Sequence, residues 1–317
     1  MGTKNDTAVR VSEFIITGFD HLSHQKLLGS LILISYVLTL VGCGTNVSII
    51  VADRRLHSPM YVLICNLAIV DITFSTSSCI TMIAVLLAEM KSISFYSCFT
   101  GMYCYHLGDI TSILTLTWMA VDRMLAISLP LRYITILTNR RCIMSIVATW
   151  IIGMLSLSQI SEAAYNVPYC QPIIQYVFCD YAAMIRAGCV NPGPYFSIPS
   201  LVGWWLWLLG GHFTLIFLTY VVIVWTVLRL SDKGSKKKMF TTCISHIIVV
   251  SVYYSPKLVS VLLTKVGVTL NLTERNALLI VASTLPPLIN PIIYCLTTKE
   301  LRTHLINLFT KNRVEIK

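Results

Sequence analysis

Seven stretches of this chain are apolar over about 20 residues or more, and each is long enough to cross the hydrocarbon of a bilayer. Their approximate limits are Leu27–Val51, Pro59–Leu87, Cys98–Ile127, Cys142–Ser161, Phe196–Leu228, Phe240–Thr264 and Ala277–Leu296. Inside lipid the backbone N–H and C=O groups must bond within the segment, so each run is expected to be a helix. The fold class that follows is an all-α membrane protein, a seven-transmembrane helix bundle. Charged residues make up 12% of the chain, whereas a soluble domain carries about 25%. That shortage extends along the whole chain and excludes one large soluble core. Beyond the last run, Leu301, Leu305, Leu308 and Phe309 recur at helical spacing, which predicts a short amphipathic helix on the membrane surface. The expected plan is an N-terminal tail (1–26), the bundle (27–297, with a long loop at about 162–195), and a surface helix and tail (298–317).

The basic residues orient the bundle. Arg54 and Arg55 follow span 1, Arg132, Arg140 and Arg141 follow span 3, and Lys233, Lys236, Lys237 and Lys238 follow span 5. The tail adds Lys299, Arg302, Lys311, Arg313 and Lys317. The opposite side has scattered Lys4, Arg10, Lys26, Lys91, Arg186 and Arg275. The N-terminus is therefore expected outside and the C-terminus inside. The net charge of +10 reads as a cytoplasmic rim facing anionic membrane lipid, not as a nucleic-acid surface. The first thirty residues contain Asp6, Glu13 and Asp20 and lack a basic start before an apolar core, so span 1 is expected to serve as the targeting signal.

Seven cysteines (Cys43, Cys65, Cys79, Cys104, Cys142, Cys243 and Cys295) lie in or near spans and are expected to be free thiols. Cys98, Cys170, Cys179 and Cys189 lie at the outer surface, where disulfides persist. Four cysteines permit three pairings, and spacing does not choose among them. Asn5-Asp-Thr7 is a sequon on the outer tail and the expected glycosylation site. Asn271-Leu-Thr273 lies close to the bilayer, and Asn46-Val-Ser48 lies inside a span. There is no glycine-rich phosphate loop, no CxxC or HExxH, and no nucleophile–base arrangement that suggests an enzyme.

One run contradicts its own composition. SVYYSPKLVSVLLTK (Ser251–Lys265) places Lys257 in mid-span, one residue after Pro256, and ends on Lys265. Ionisable side chains at membrane depth are costly and need partners or a function. Lys265 lies about 12 Å along the helix from Lys257 and about 80° round it. Span 3 supplies Tyr105, His106 and Asp109 at matching depth, and His106 and Asp109, three apart, share a face.

Four segments, in order, resemble one family. They are LHSPMYVLICNLAIVDI (Leu56–Ile72), MAVDRMLAISLPLRY (Met119–Tyr133), KMFTTCISHIIVVSVYY (Lys238–Tyr254) and PPLINPIIY (Pro286–Tyr294). Together they resemble a vertebrate olfactory receptor, a branch of the rhodopsin-like (class A) G protein-coupled receptors, and the long cysteine-bearing loop Pro168–Cys189 leans towards the fish type. The resemblance implies disulfides Cys98–Cys179 and Cys170–Cys189. It implies an odorant pocket in the outer half of the bundle, at Tyr105, His106, Asp109, Tyr254, Lys257, Val261 and Lys265. It also implies coupling to the stimulatory olfactory G protein, with cyclic AMP as the signal, from the plasma membrane of sensory cilia.

Switch residues implied by the resemblance are Asp122 and Arg123 at the inner end of span 3, Tyr220, His246, and Asn290, Pro291 and Tyr294 of span 7. A near-permanent guanidinium charge suits Arg123 to G protein contact. The resemblance also groups Asp71 with Asn46, Ser112 and Asn290 in a polar cluster. It reads as a satisfied hydrogen-bond network, as an allosteric sodium site at Asp71, Ser112 and Asn290, or as both together, with no other cofactor. His246 reads equally as a packing histidine. Pro256 departs from many olfactory receptors and matches rhodopsin-like receptors generally; it is expected to kink span 6.

Three readings of the intramembrane charges stay open: a structural Lys257–Asp109 pair, an acidic ligand received by Lys257 or Lys265, and an amine ligand received by Asp109. A non-olfactory class A receptor for a small acidic or amine ligand is the alternative within the same architecture. A retinal Schiff base is disfavoured because Ala277–Leu296 contains no lysine. A transporter is disfavoured by the odd span count and the lack of an internal repeat.

Overall fold

The computed structural model describes residues 11–196, 206–229, 233–266, 268, 270–298 and 300–306. Among these residues, seven helical spans are long and apolar enough to cross a membrane. They are α1 (Gln25–Ala52), α2 (Pro59–Leu87), α3 (Phe95–Ser128), α5 (Asn139–Ser156) continued by α6 (Ser158–Asn166), a π-helical turn (Trp207–Gly211) continued by α8 (His212–Arg229), α9 (Lys233–Lys265) and α10 (Leu272–Thr297). A short helix, α4 (Pro130–Ile136), lies between α3 and α5, and α7 (Tyr181–Ala187) forms in the long loop before α8. The all-α, seven-span expectation holds.

Local chemistry sets the helix starts. Pro59 opens α2, where its missing N–H costs nothing. Ser94 caps α3, and Thr138 caps α5. Asn271 and Glu274 form a reciprocal capping box at α10, so the Asn271 side chain is engaged in the fold. Exposed Leu38, Val41, Leu215, Phe217 and Trp225 suit a lipid-facing surface, while Asn46, Asp71, Asp109, Ser112 and Asn290 are buried between helices. The apolar and polar positions are thus arranged for a bilayer, not for water.

Helix α3 is the most enclosed span and packs against α2, α5, α8 and α9. A Cβ at Gly108 would fall 2.8 Å from Cβ of Phe74, so glycine permits the close approach of α2 and α3 beside Asp109. Near the middle of the bundle, Asn66 donates to Thr115 Oγ1 (2.8 Å) and accepts from Trp150 Nε1 (2.9 Å), tying α2, α3 and α5.

One end of the bundle carries a feature that hydropathy did not reveal. A three-stranded sheet of order β2-β1-β3 joins β1 (Glu13–Ile16), β2 (Ser92–Ser94) and β3 (Ile173–Ile174). The β1–β2 pairing is antiparallel and the β1–β3 pairing parallel. Phe14 and Ile16 of β1 point inward and are fully buried. Gly18 follows so closely on the long loop that an added Cβ would fall 2.7 Å from Val177 N. Asn276 of α10 donates to the carbonyls of Gly18 and Gln175, both at 3.2 Å. The segment before α1 is therefore stitched to both loops and to α10. At the opposite, Arg123 end, residues 300–306 are helical, and His304 Nε2 meets Asp53 Oδ2 at 2.8 Å.

Candidate functional site

Two disulfides fasten the loop over the sheet end: Cys98–Cys179, which ties it to the start of α3, and Cys170–Cys189, which closes the loop on itself. The remaining seven cysteines are free. Beneath this loop, α3 and α9 face each other. Lys257 Nζ pairs with Asp109 Oδ1, and its ammonium also sits 3.6 Å from the centroid of the Tyr253 ring. The Tyr253 hydroxyl donates to the same Asp109 oxygen at 2.6 Å and reaches the Asp109 carbonyl at 2.9 Å. Side-chain exposure is 16% for Lys257 and 6% for Asp109. The bonds to the carboxylate all converge on Oδ1.

Tyr253 was not among the expected site residues, which took its neighbour Tyr254 instead. The signal was present: Tyr253 stands four residues before Lys257 and shares its face. Tyr254 is 1% exposed, packs on Phe213 of α8 at 5.2 Å, and its hydroxyl has no hydrogen-bond partner among the described residues. Tyr105 stacks on Phe74 (4.8 Å) and meets Phe178 at a tilt (4.9 Å), which makes it a packing link between α2, α3 and the loop. His106 Nε2 accepts from the Tyr181 N–H at 3.3 Å and so supports the start of α7. The side chains of Val261 and Lys265 lie outside the described residues, as does Asn5.

In the loop itself, Asp180 caps α7 by accepting from the Ala183 N–H at 2.7 Å. Burial pushes its carboxyl up to about 6, against the opposing pull of the Ala183 N–H, Arg186 and Arg275.

A polar layer crosses the middle of the bundle. Asn290 Nδ2 donates to both Asp71 oxygens, at 3.1 and 3.0 Å, and Asn46 Nδ2 donates to the Pro291 carbonyl at 3.1 Å. Asn290 Oδ1 is buried without a hydrogen-bond partner among the described residues. Because Phe74 meets Gly108 and Asn66 meets Thr115 on antiparallel helices, Asp71 is level with Ile110 and Thr111, and Ser112, the next residue, is buried.

At the Arg123 end, Arg123 Nε donates to Asp122 Oδ2 at 2.8 Å, and Tyr133 of α4 donates to Asp122 Oδ1 at 2.6 Å. Asp122 is fully buried. Burial and the Asp122 charge raise the Tyr133 hydroxyl, which keeps it a donor. Tyr133 is a second residue that the sequence did not single out. About two helix turns from Arg123 along α3, His246 Nε2 meets the Leu116 carbonyl (3.2 Å), so that nitrogen carries the proton. Nδ1 is then an acceptor for the Tyr220 hydroxyl at 2.6 Å, and a single imidazole ties α3, α8 and α9. Tyr294 lies 3.8 Å from Met119 Sδ.

A family model described as "Olfactory receptor" matches residues 32–312. The chain is 34% identical to human olfactory receptor 10G7 over 312 residues, covering 95% of this chain and 96% of that one. It is 34% identical to human olfactory receptor 6N1 (92% and 93% covered) and 32% identical to mouse olfactory receptor 2A7 (93% and 94% covered).

Proposed function

Because this chain belongs to the olfactory receptor family, a family of multi-pass receptors and not of enzymes, we propose that it binds a small odorant in the sheet-end half of its bundle and activates a stimulatory, olfactory-type G protein from the Arg123 end. The sheet end then lies outside the plasma membrane of the sensory cilium, in accord with the basic residues gathered at the other end. The observation that carries the reading is the Asp109–Lys257–Tyr253 cluster. It places charge inside an apolar bundle, beneath a doubly disulfide-bonded loop, and joins α3 to α9.

A ligand changes a receptor's equilibrium only through unequal affinity for its two states. Lys257 and His246 are on the same helix, eleven residues or about 16 Å apart. A ligand that alters the Lys257–Asp109 contact shifts α9 against α3, and the His246 tie to Leu116 and Tyr220 is the next link to yield. The Asp122–Arg123 pair, held by Tyr133, is the resting lock whose release frees the guanidinium for the G protein.

The ligand is read as one that carries an acid or another strong acceptor. An ammonium has three donors, and Asp109 takes one of them, so an acid would share Lys257 while the Tyr254 hydroxyl supplies a second bond. The second reading, a mainly structural ion pair beneath a neutral ligand, is favoured by the pair already being closed. The Asp71 carboxylate, the unpartnered Asn290 Oδ1 and the Ser112 hydroxyl are oxygen donors that suit a sodium ion. These three residues would hold it, and its charge would neutralise Asp71 in the resting state.

Cells expressing the full chain, with and without the stimulatory Gα subunit, test the reading. Odorant-evoked cyclic AMP should vanish without that subunit. A ligand-evoked ion current that persists without G proteins would instead mark a transporter or channel.

A further inference from the structure

A groove of about 510 Å³ opens on the lipid-facing side of α3 and α5 near the Arg123 end. Leu114, Trp118 and Leu125 of α3 form one wall, and Met144 and Ile152 of α5 the other. Arg141, in the first turn of α5, lines its Arg123 end. None of its lining residues belongs to the Asp109–Lys257 cluster, and it takes no part in the function proposed above.

Its dimensions and charge specify an occupant. Leu114 to Leu125 is eleven residues of helix, about 16 Å, and Arg141 to Ile152 is the same. That matches half of a hydrocarbon core about 30 Å thick, the depth reached by the chains of one leaflet. Arg141 Nη1 donates only to the neutral carbonyls of Thr135 (3.0 Å) and Ile136 (2.7 Å). Among the described residues it has no carboxylate partner, and exposed Arg132 and Arg140 of the same connection and helix start are in no ion pair there either. An apolar slot one leaflet deep, ending at an uncompensated guanidinium, complements an acyl chain joined to an anionic headgroup.

We propose that this groove is a binding site for one anionic phospholipid, with an acyl chain between α3 and α5 and the phosphate on Arg141. A zwitterionic lipid offers the same chain without the net charge. A sterol fills apolar space but brings only a hydroxyl to the arginine. On the orientation proposed above the lipid comes from the cytoplasmic leaflet. The site itself requires only that the bundle span a membrane.

The test uses the full-length chain purified from bilayers of equal phosphatidylcholine and phosphatidylserine with cholesterol, partly delipidated in detergent, and weighed intact by native mass spectrometry. The wild type should retain one phosphatidylserine in preference to phosphatidylcholine by at least fivefold. Arg141→Gln should abolish that preference, and Ala148→Phe, which fills the groove, should remove the retained lipid of either kind. Arg140→Gln serves as the charge-matched control and should keep the preference. Equal retention in wild type and Arg141→Gln, or cholesterol retained in place of phospholipid, overturns the proposal. Since no odorant or G protein enters the measurement, either result leaves the receptor reading where it stood.

Discussion

Lys257 of α9 and Asp109 of α3 form an ion pair across the bundle, with the Tyr253 ring beneath the ammonium and its hydroxyl on the shared carboxylate oxygen. Such a pair is weak evidence of net stabilisation, because desolvation of two charges offsets much of their attraction. A single substitution is a different case, since it leaves the other charge buried without its partner.

Removing one partner leaves a buried charge unmatched and should destabilise by about 3–5 kcal/mol, whereas removing both is often neutral. Asp109→Asn and Lys257→Met should each lower the thermal midpoint of the purified receptor, and the double variant should recover most of the loss. Additive losses in the double variant would show that the pair does not couple the helices.

The two adjacent tyrosines should separate cleanly. Tyr253→Phe loses its bonds to Asp109 and should cost about 1.5–3 kcal/mol, the range for hydrogen bonds to charged groups. Tyr254→Phe removes a hydroxyl that has no partner among the described residues, so the ligand-free midpoint should stay unchanged or rise. Odorant potency in Tyr254→Phe should fall nonetheless, because on the acid-ligand reading this hydroxyl turns to donate to the bound acid. A midpoint that falls as far for Tyr254→Phe as for Tyr253→Phe would contradict the assignment.

At the other end, Tyr133→Phe removes a restraint on the Asp122–Arg123 pair while leaving the pair itself. A bond of about 1.5 kcal/mol corresponds to roughly a tenfold change in an equilibrium. Basal cyclic AMP per receptor at the cell surface should rise several-fold, and Arg123→Ala should abolish it. Unchanged basal signalling in Tyr133→Phe would remove Tyr133 from the lock.

Asp180 gives a pH dependence of opposite sign to that of a paired surface carboxylate. Its carboxyl is raised from 3.8 to about 6 by burial, so between those values the folded loop holds a proton that the unfolded chain has lost. Its contribution to stability is complete below about pH 4, falls as pH rises through about 6, and is flat above. The span is at most about 3 kcal/mol. Asparagine caps a helix as well as aspartate does. The wild-type thermal midpoint should therefore gain on that of Asp180→Asn as pH drops from 7.5 to 4.5. Parallel curves would show that Asp180 ionises normally in the fold.

Hydropathy and helix-end chemistry made much of this bundle legible. The run Pro59–Leu87 coincides with α2, where a proline marks the first turn, and the other spans agree within several residues where the structure describes them. The sheet was not legible, because its strands are two to four residues long and pair across about 80 to 160 residues of chain. Local periodicity carries no trace of such contacts. Asp109 and Lys257 could be placed at one depth by counting, but which side chain closes on which is set by helix rotation. For the same reason Tyr253 was passed over for Tyr254, although one faces the carboxylate and the other faces Phe213. Tyr133 joins Asp122 only because α4 folds back, a tertiary fact that eleven residues of sequence do not state.

The most direct test of the account is the cyclic AMP response to matched carboxylate, amine and neutral odorants on common carbon skeletons, compared between wild type and Lys257→Gln at equal surface expression. The account predicts that carboxylates activate the wild type most strongly. It also predicts that their half-maximal concentration rises at least tenfold in Lys257→Gln, with the neutral series little changed. Carboxylates that activate both proteins equally, or a wild type that answers only amines, would contradict it.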